Sequence, residues 1–147
     1  RFNVVPGKVQ MTGANRAFSD YSRKMIPKWM KRMIDNVCDA YGCKAEFEYK
    51  NGCSPTINET DSTELVKKSV VKVIGEENVI QIPPVMGSED FSTYLEKVPG
   101  TFMILGGGNK EKGWMYSQHS NHFIVDENCL VVGSSVYAQT ALDFLKN

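Results

Sequence analysis

The chain has 147 residues, 41% apolar and 23% charged, the make-up of an ordinary globular protein of about one domain, with room for two smaller lobes. Seventeen basic residues balance seventeen acidic ones, so no basic surface is forced and nucleic acid is a poor candidate partner. The apolar runs are only a few residues long, too short for a membrane-spanning helix, and no signal-peptide pattern opens the chain.

The first residues, "RFNVV", lead straight into strand-like sequence without a methionine, which reads as a piece cut from a longer chain. Residues 8–18, "KVQMTGANRAF", alternate Val9 and Met11 against Lys8, Gln10 and Thr12, a period of two that predicts a strand with one covered face. In the following "SDYSRKMIPKWMKRMIDNVCDAYG", Ile26, Met30, Met33, Ile34, Val37 and Tyr41 recur at helical spacing. Pro27 must sit in the first turn or kink that helix, and Gly42 ends it. Residues 43–50 alternate again, with Cys43, Ala45, Phe47 and Tyr49 on one face. The turn formers of "NGCSPTINETD" then mark a lobe boundary.

Beyond it, Asp61 with Glu64 forms a capping box for a helix whose stripe is Leu65, Val66, Val70, Val73 and Ile74. "NVIQI" reads as a short strand, and Ser88 as the cap of a helix over 89–97. "TFMILGGG" reads as a buried strand, and Asp126 as the cap of a last helix reaching about Leu145. The expectation is therefore α/β: a strand-helix-strand lobe, then helices alternating with strands in a layered sheet.

Four cysteines, Cys38, Cys43, Cys53 and Cys129, form no Cys-x-x-Cys pair, so a zinc ribbon is not expected. Free thiols in a reducing cytosol are the simplest reading, with one disulfide inside the 38–53 group left open. The two histidines, His119 and His122, stand three apart in a loop, and two ligands alone make a poor metal site. Glu89 and Asp90 in a first helical turn offset the helix dipole, and they favour a polar, hydrogen-bonding role there over a bare anion site. "LGGGNKEKG" lacks the spacing of a phosphate loop and reads as a turn that lets backbone approach a neighbour. Arg16, alone on its strand, reads as a surface residue.

Taken in order, "NVVP", "GANRAF", "GCKAEFEYKNGCSPTIN", "MGSEDFS", "FMILGGGN" and "HSNHFIVDE" resemble the C-terminal part of the dinuclear-metal amidohydrolases and peptidases. That family includes hippurate hydrolase, aminoacylase, carboxypeptidase G and the plant auxin-conjugate hydrolases, and the resemblance covers nearly the whole chain. It implies that residues 1–54 are the second half of a ferredoxin-like lid that also makes a homodimer. It implies that residues 55–147 are the C-terminal part of an α/β layered catalytic domain. It implies that His119, in "HSNHF", is a metal ligand, that His122 is not, and that Asn3 and Arg16 contact substrate. The substrate class implied is N-acyl amino acids or small peptides, and the compartment expected is the cytoplasm.

In such a family two divalent ions (zinc, or manganese, cobalt or nickel) about 3.5–4 Å apart activate a water for attack on the amide carbonyl. The family's general base and its other ligands have no counterpart here, so no catalytic residue is assigned to this chain. Alone, the chain is expected to be inactive and to hold no metal tightly. A competing reading is a non-catalytic module that binds a small ligand or serves dimerisation, with Arg16 holding a carboxylate without any metal.

Overall fold

Helices carry the regular structure of this chain. The computed structural model describes residues 2–146, so Arg1 and Asn147 lie outside it. In chain order the elements are α1 (Asp20–Ala40), α2 (Thr60–Ile74), a 3-10 turn at Glu76–Asn78, α3 (Ser92–Leu95) and α4 (Asn128–Phe144).

The expected α/β architecture is not formed. The described residues contain no sheet, and their one β feature is an isolated bridge between Asn109 and Trp114. Neither a ferredoxin-like strand-helix-strand lid nor a layered sheet is present among the described residues. Residues 8–18, 43–50, 78–82 and 101–108 instead run without ladder hydrogen bonds among the described residues. The physical reason is that alternation in a sequence specifies side-chain direction, whereas a strand exists only when a neighbour about 4.8 Å away pairs its N–H and C=O groups.

Two compact units emerge, Arg1–Pro55 with Val85–Ser88, and Thr56–Pro84 with Glu89–Asn147. In the first, α1 starts where Ser19, in extended conformation, accepts a hydrogen bond at Oγ from Ser22 N (3.2 Å), an N-cap that satisfies one orphan donor. Pro27 lies inside the helix rather than in its first turn. Lys31 and Asp35 pair at i, i+4 (2.8 Å). Gly42, at φ +66°, follows the end of the helix. Asn15 and Tyr49 join the two extended segments of this unit, the amide donating to the phenol (3.1 Å) and the phenol donating back (3.2 Å). Arg23 donates to the carbonyl of Gly52 (2.7 Å).

In the second unit α2 packs on α4. Asp143 of α4 accepts from Ser69 Oγ (2.7 Å), Lys72 Nζ (2.7 Å) and Gln139 Nε2 (3.0 Å), and the ammonium is its ion-pair partner. These bonds hold the Asp143 carboxyl down at about 2, Lys72 first, then Ser69 and Gln139. The cap of α2 is Glu59, not Asp61: its carboxylate accepts from Asp61 N (2.9 Å) and Ser62 N (2.7 Å). The longer carboxylate reaches two first-turn donors at once and leaves Asp61 inside that turn. The predicted helix over 89–97 shrinks to α3, which has no side-chain cap. Glu89 Oε1 instead accepts from Phe91 N (3.2 Å) in the turn before it.

Asn58 stands in for a strand neighbour: its amide bonds both the carbonyl (2.9 Å) and the N–H (2.8 Å) of Phe102. Beside that contact, the ring of Phe102 packs on Phe91 with centroids 5.5 Å apart. Val136 is the one fully buried apolar side chain among the described residues.

Candidate functional site

The loop from Gly107 to Asp126 carries both histidines. It begins within the glycine run, and Gly107 packs closely there: a Cβ at that position would lie 3.2 Å from Val125 Cγ1, which would have to give by a few tenths of an ångström. Its carbonyl accepts from Asp126 N (2.8 Å), closing the loop. At the entrance, Asn109 and Trp114 exchange both backbone hydrogen bonds (2.9 and 2.8 Å) around a turn in which Gly113 takes φ +70°. The turn is braced by Lys112 N donating to Asn109 Oδ1 (3.1 Å) and by the Lys112 ammonium lying 4.6 Å from the centre of the Trp114 ring.

At the far end, Asp126 collects three donors. Oδ2 accepts from Asn109 Nδ2 (2.5 Å) and Lys112 Nζ (3.2 Å), and Oδ1 accepts from Asn128 N (3.2 Å) in the first turn of α4. These bonds hold its carboxyl below the ordinary carboxylate range, the Asn109 amide first and the Asn128 N–H next. The cap position of α4 is Glu127, which makes no side-chain cap bond; Asp126, the expected cap, stands one residue earlier, where its carboxylate takes the Asn128 N–H and also ties the helix to the loop's entrance.

His119 sits midway, at φ +67°, the single non-glycine residue with positive φ among the described ones. Its turn is closed by Ser120 N donating to Ser117 O (3.2 Å), which places His119 at the third position, where a left-handed residue is needed. The next turn follows at once, with Phe123 N donating to Ser120 O (3.1 Å) and His122 N to Ser120 Oγ (3.1 Å). The His122 ring lies 5.3 Å from that of Tyr116, so it is engaged in packing. The His119 side chain is exposed and makes no hydrogen bond, ion pair or ring contact among the described residues.

Asn3 and Arg16 belong to the first unit, His119 to the second. Both Asn3 and Arg16 are exposed, and the Arg16 guanidinium has no partner among the described residues. A cleft of about 320 Å³ in the second unit, lined by Ile57, Glu59, Leu95, Lys97, Pro99 and Gly100, includes none of these residues. Asn109 and Lys112 went unremarked in the sequence, because "LGGGNKEKG" shows its glycines more loudly than the Asn and Lys set three apart.

A catalytic metal centre takes three or more protein donors. The described residues gather no group of three His, Cys, Asp or Glu side chains that could hold an ion. A lone exposed imidazole with both nitrogens uncommitted fits one position of such a centre, and the remaining donors would have to come from other chain. No described helix is long and apolar enough to cross a membrane.

The sequence matches the peptidase family M20/M25/M40 over residues 3–143. It is 34% identical over 143 residues to thermostable carboxypeptidase 1 of Saccharolobus solfataricus, covering 97% of this chain and 36% of that protein. Thermostable carboxypeptidase 2 of the same organism is 33% identical over 143 residues, with the same coverage of 97% and 36%. IAA-amino acid hydrolase ILR1-like 4 of Arabidopsis thaliana is 34% identical over 148 residues, 98% of this chain and 34% of the relative. The chain spans about a third of the length of these relatives. With a family match running almost from end to end and relatives named as carboxypeptidases and amino-acid-conjugate hydrolases, the chain belongs to the peptidase family M20/M25/M40.

Proposed function

We propose that this chain works as one part of a metal-dependent hydrolase that cleaves the amide bond of N-acyl amino acids, amino-acid conjugates or small peptides. Membership of the family supports the reaction class, and the names of the relatives, carboxypeptidase and IAA-amino acid hydrolase, support the substrate class. The observation that carries the reading to a residue is His119, whose uncommitted imidazole stands out on a left-handed turn.

Within this reading residues 55–147 belong to the catalytic domain and His119 contributes one lone pair to a centre of two divalent ions, zinc or manganese, cobalt or nickel. When bound, those ions supply an ionised water and a Lewis acid at the scissile carbonyl. Residues 1–54 cover the substrate and pair subunits. Arg16 offers its fork to the substrate carboxylate, the geometry in which a guanidinium binds best, and Asn3 donates a hydrogen bond beside it. The other donors and the general base come from the chain that the relatives carry and these residues do not match. By themselves these 147 residues bind metal weakly and hydrolyse nothing, and the working compartment is the cytoplasm.

The test is reconstitution. The chain is expressed together with the preceding segment of its parent, supplied with zinc and assayed on N-benzoylglycine. Hydrolysis should return and should disappear with His119→Ala. Activity that survives this substitution rejects the site. A reconstituted protein that binds N-acyl amino acids through Arg16 yet never cleaves them would favour a non-catalytic binding module.

A further inference from the structure

We infer that Asp126 is the positioning residue of the His119 loop: it joins the loop's entrance, at Asn109 and Lys112, to its exit at the first turn of α4, and so fixes where the imidazole is presented. The inference rests on the reading of His119 as a metal donor and deepens it.

The turns next to His119 link only close neighbours, Ser117 to Ser120 and Ser120 to His122 and Phe123, so they shape the turn without anchoring it. The bonds that cross the loop converge on one residue. Asp126 N reaches Gly107 O, and its Oδ2 takes both Asn109 Nδ2 and Lys112 Nζ. Oδ1 and the carbonyl of the same residue hold α4, through Asn128 N (3.2 Å) and Cys129 N (3.0 Å). The carboxylate is 13% exposed, against 45% for Lys112, so water competes little for it. Asn109 is committed on both sides of its amide, to Asp126 and to Lys112 N. A charged acceptor with three donors at fixed positions has one arrangement, and a loop tied at both ends to a helix inherits that helix's rigidity. An exposed imidazole with no contacts of its own takes its position from its loop: from the local turns and the Tyr116–His122 ring contact around it, and from the bonds at Asp126 that tie the loop to α4.

The experiment measures zinc affinity by chelator competition, and melting temperature, in the full-length hydrolase that the reading calls for. The variants are Asp126→Ala, Asn109→Ala, Lys112→Ala and His119→Ala. Supporting groups behind a ligand are worth roughly ten- to a hundredfold in metal affinity, and a loss of that size is expected for Asp126→Ala. Asn109→Ala and Lys112→Ala keep the bonds from Asp126 to the first turn of α4 and should lower affinity in the same direction with the melting temperature unchanged. A role for Asp126 confined to those bonds predicts that these two variants hold zinc as the wild type does, and that result overturns the inference even if Asp126→Ala fails to fold. If His119→Ala also holds zinc as the wild type does, the reading of His119 fails instead.

Discussion

A histidine at φ +67° is held in a conformation that disfavours a Cβ by about 1–2 kcal/mol. Replacing it with glycine removes that strain but adds about 0.5–1 kcal/mol of chain entropy to be lost on folding. His119→Gly should therefore leave the denaturation midpoint close to wild type, whereas His119→Val, with a branched Cβ in the left-handed region, should lower stability by about 1 kcal/mol or more. Urea titration of the two variants side by side checks this. On the proposed reading, the ring at this position serves metal and not the fold. The "HSNHF" stretch made that ring legible in the sequence by resemblance, while its backbone conformation was not: nothing in Ser117-Gln118-His119-Ser120 signals a left-handed third position, which falls to glycine or asparagine when sequence announces it. Nor did the sequence distinguish the packed ring of His122 from the open one of His119.

At the scale of elements, the helices were legible because a period near 3.6 is a property of the segment itself. The strands were not, since pairing belongs to two segments at once, and residues 8–18 and 43–50 meet here through Asn15 and Tyr49 side chains instead of through their backbones. The clasp of α2 on α4 was equally invisible, because Ser69 and Asp143 stand 74 positions apart.

That clasp has a pH signature. Asp143 titrates at about 2 when folded, below the ordinary aspartate value of about 3.9. Its contribution to stability is therefore complete above the unfolded value and is lost as pH falls from about 5 through 2. Asp143→Asn should flatten the acid limb of the stability profile, as read by circular dichroism between pH 2 and 6. In α1, Pro27 removes one backbone hydrogen bond from a helix whose described residues include none that is buried. Pro27→Ala should raise helicity and stabilise this helix by on the order of 1 kcal/mol or more, up to the roughly 3 kcal/mol cost of an interior proline.

For the whole molecule, uncovered apolar side chains are decisive. Met11 in the first unit, and Ile80, Ile82, Ile104, Val131 and Tyr137 in the second, are each more than half exposed. Surface of this kind attracts cover. The isolated chain should bind the dye ANS strongly and self-associate as concentration rises; fluorescence titration and light scattering read the two effects.

The pairing of α2 with α4 has a consequence for a severed backbone. The Lys110–Glu111 peptide lies in an exposed turn between the two helices in sequence, while Ser69, Lys72 and Asp143 join them directly. A protease that nicked the chain once at that bond would leave two fragments still gripping each other above their dissociation constant, to be parted by denaturant, by acid or by enough dilution.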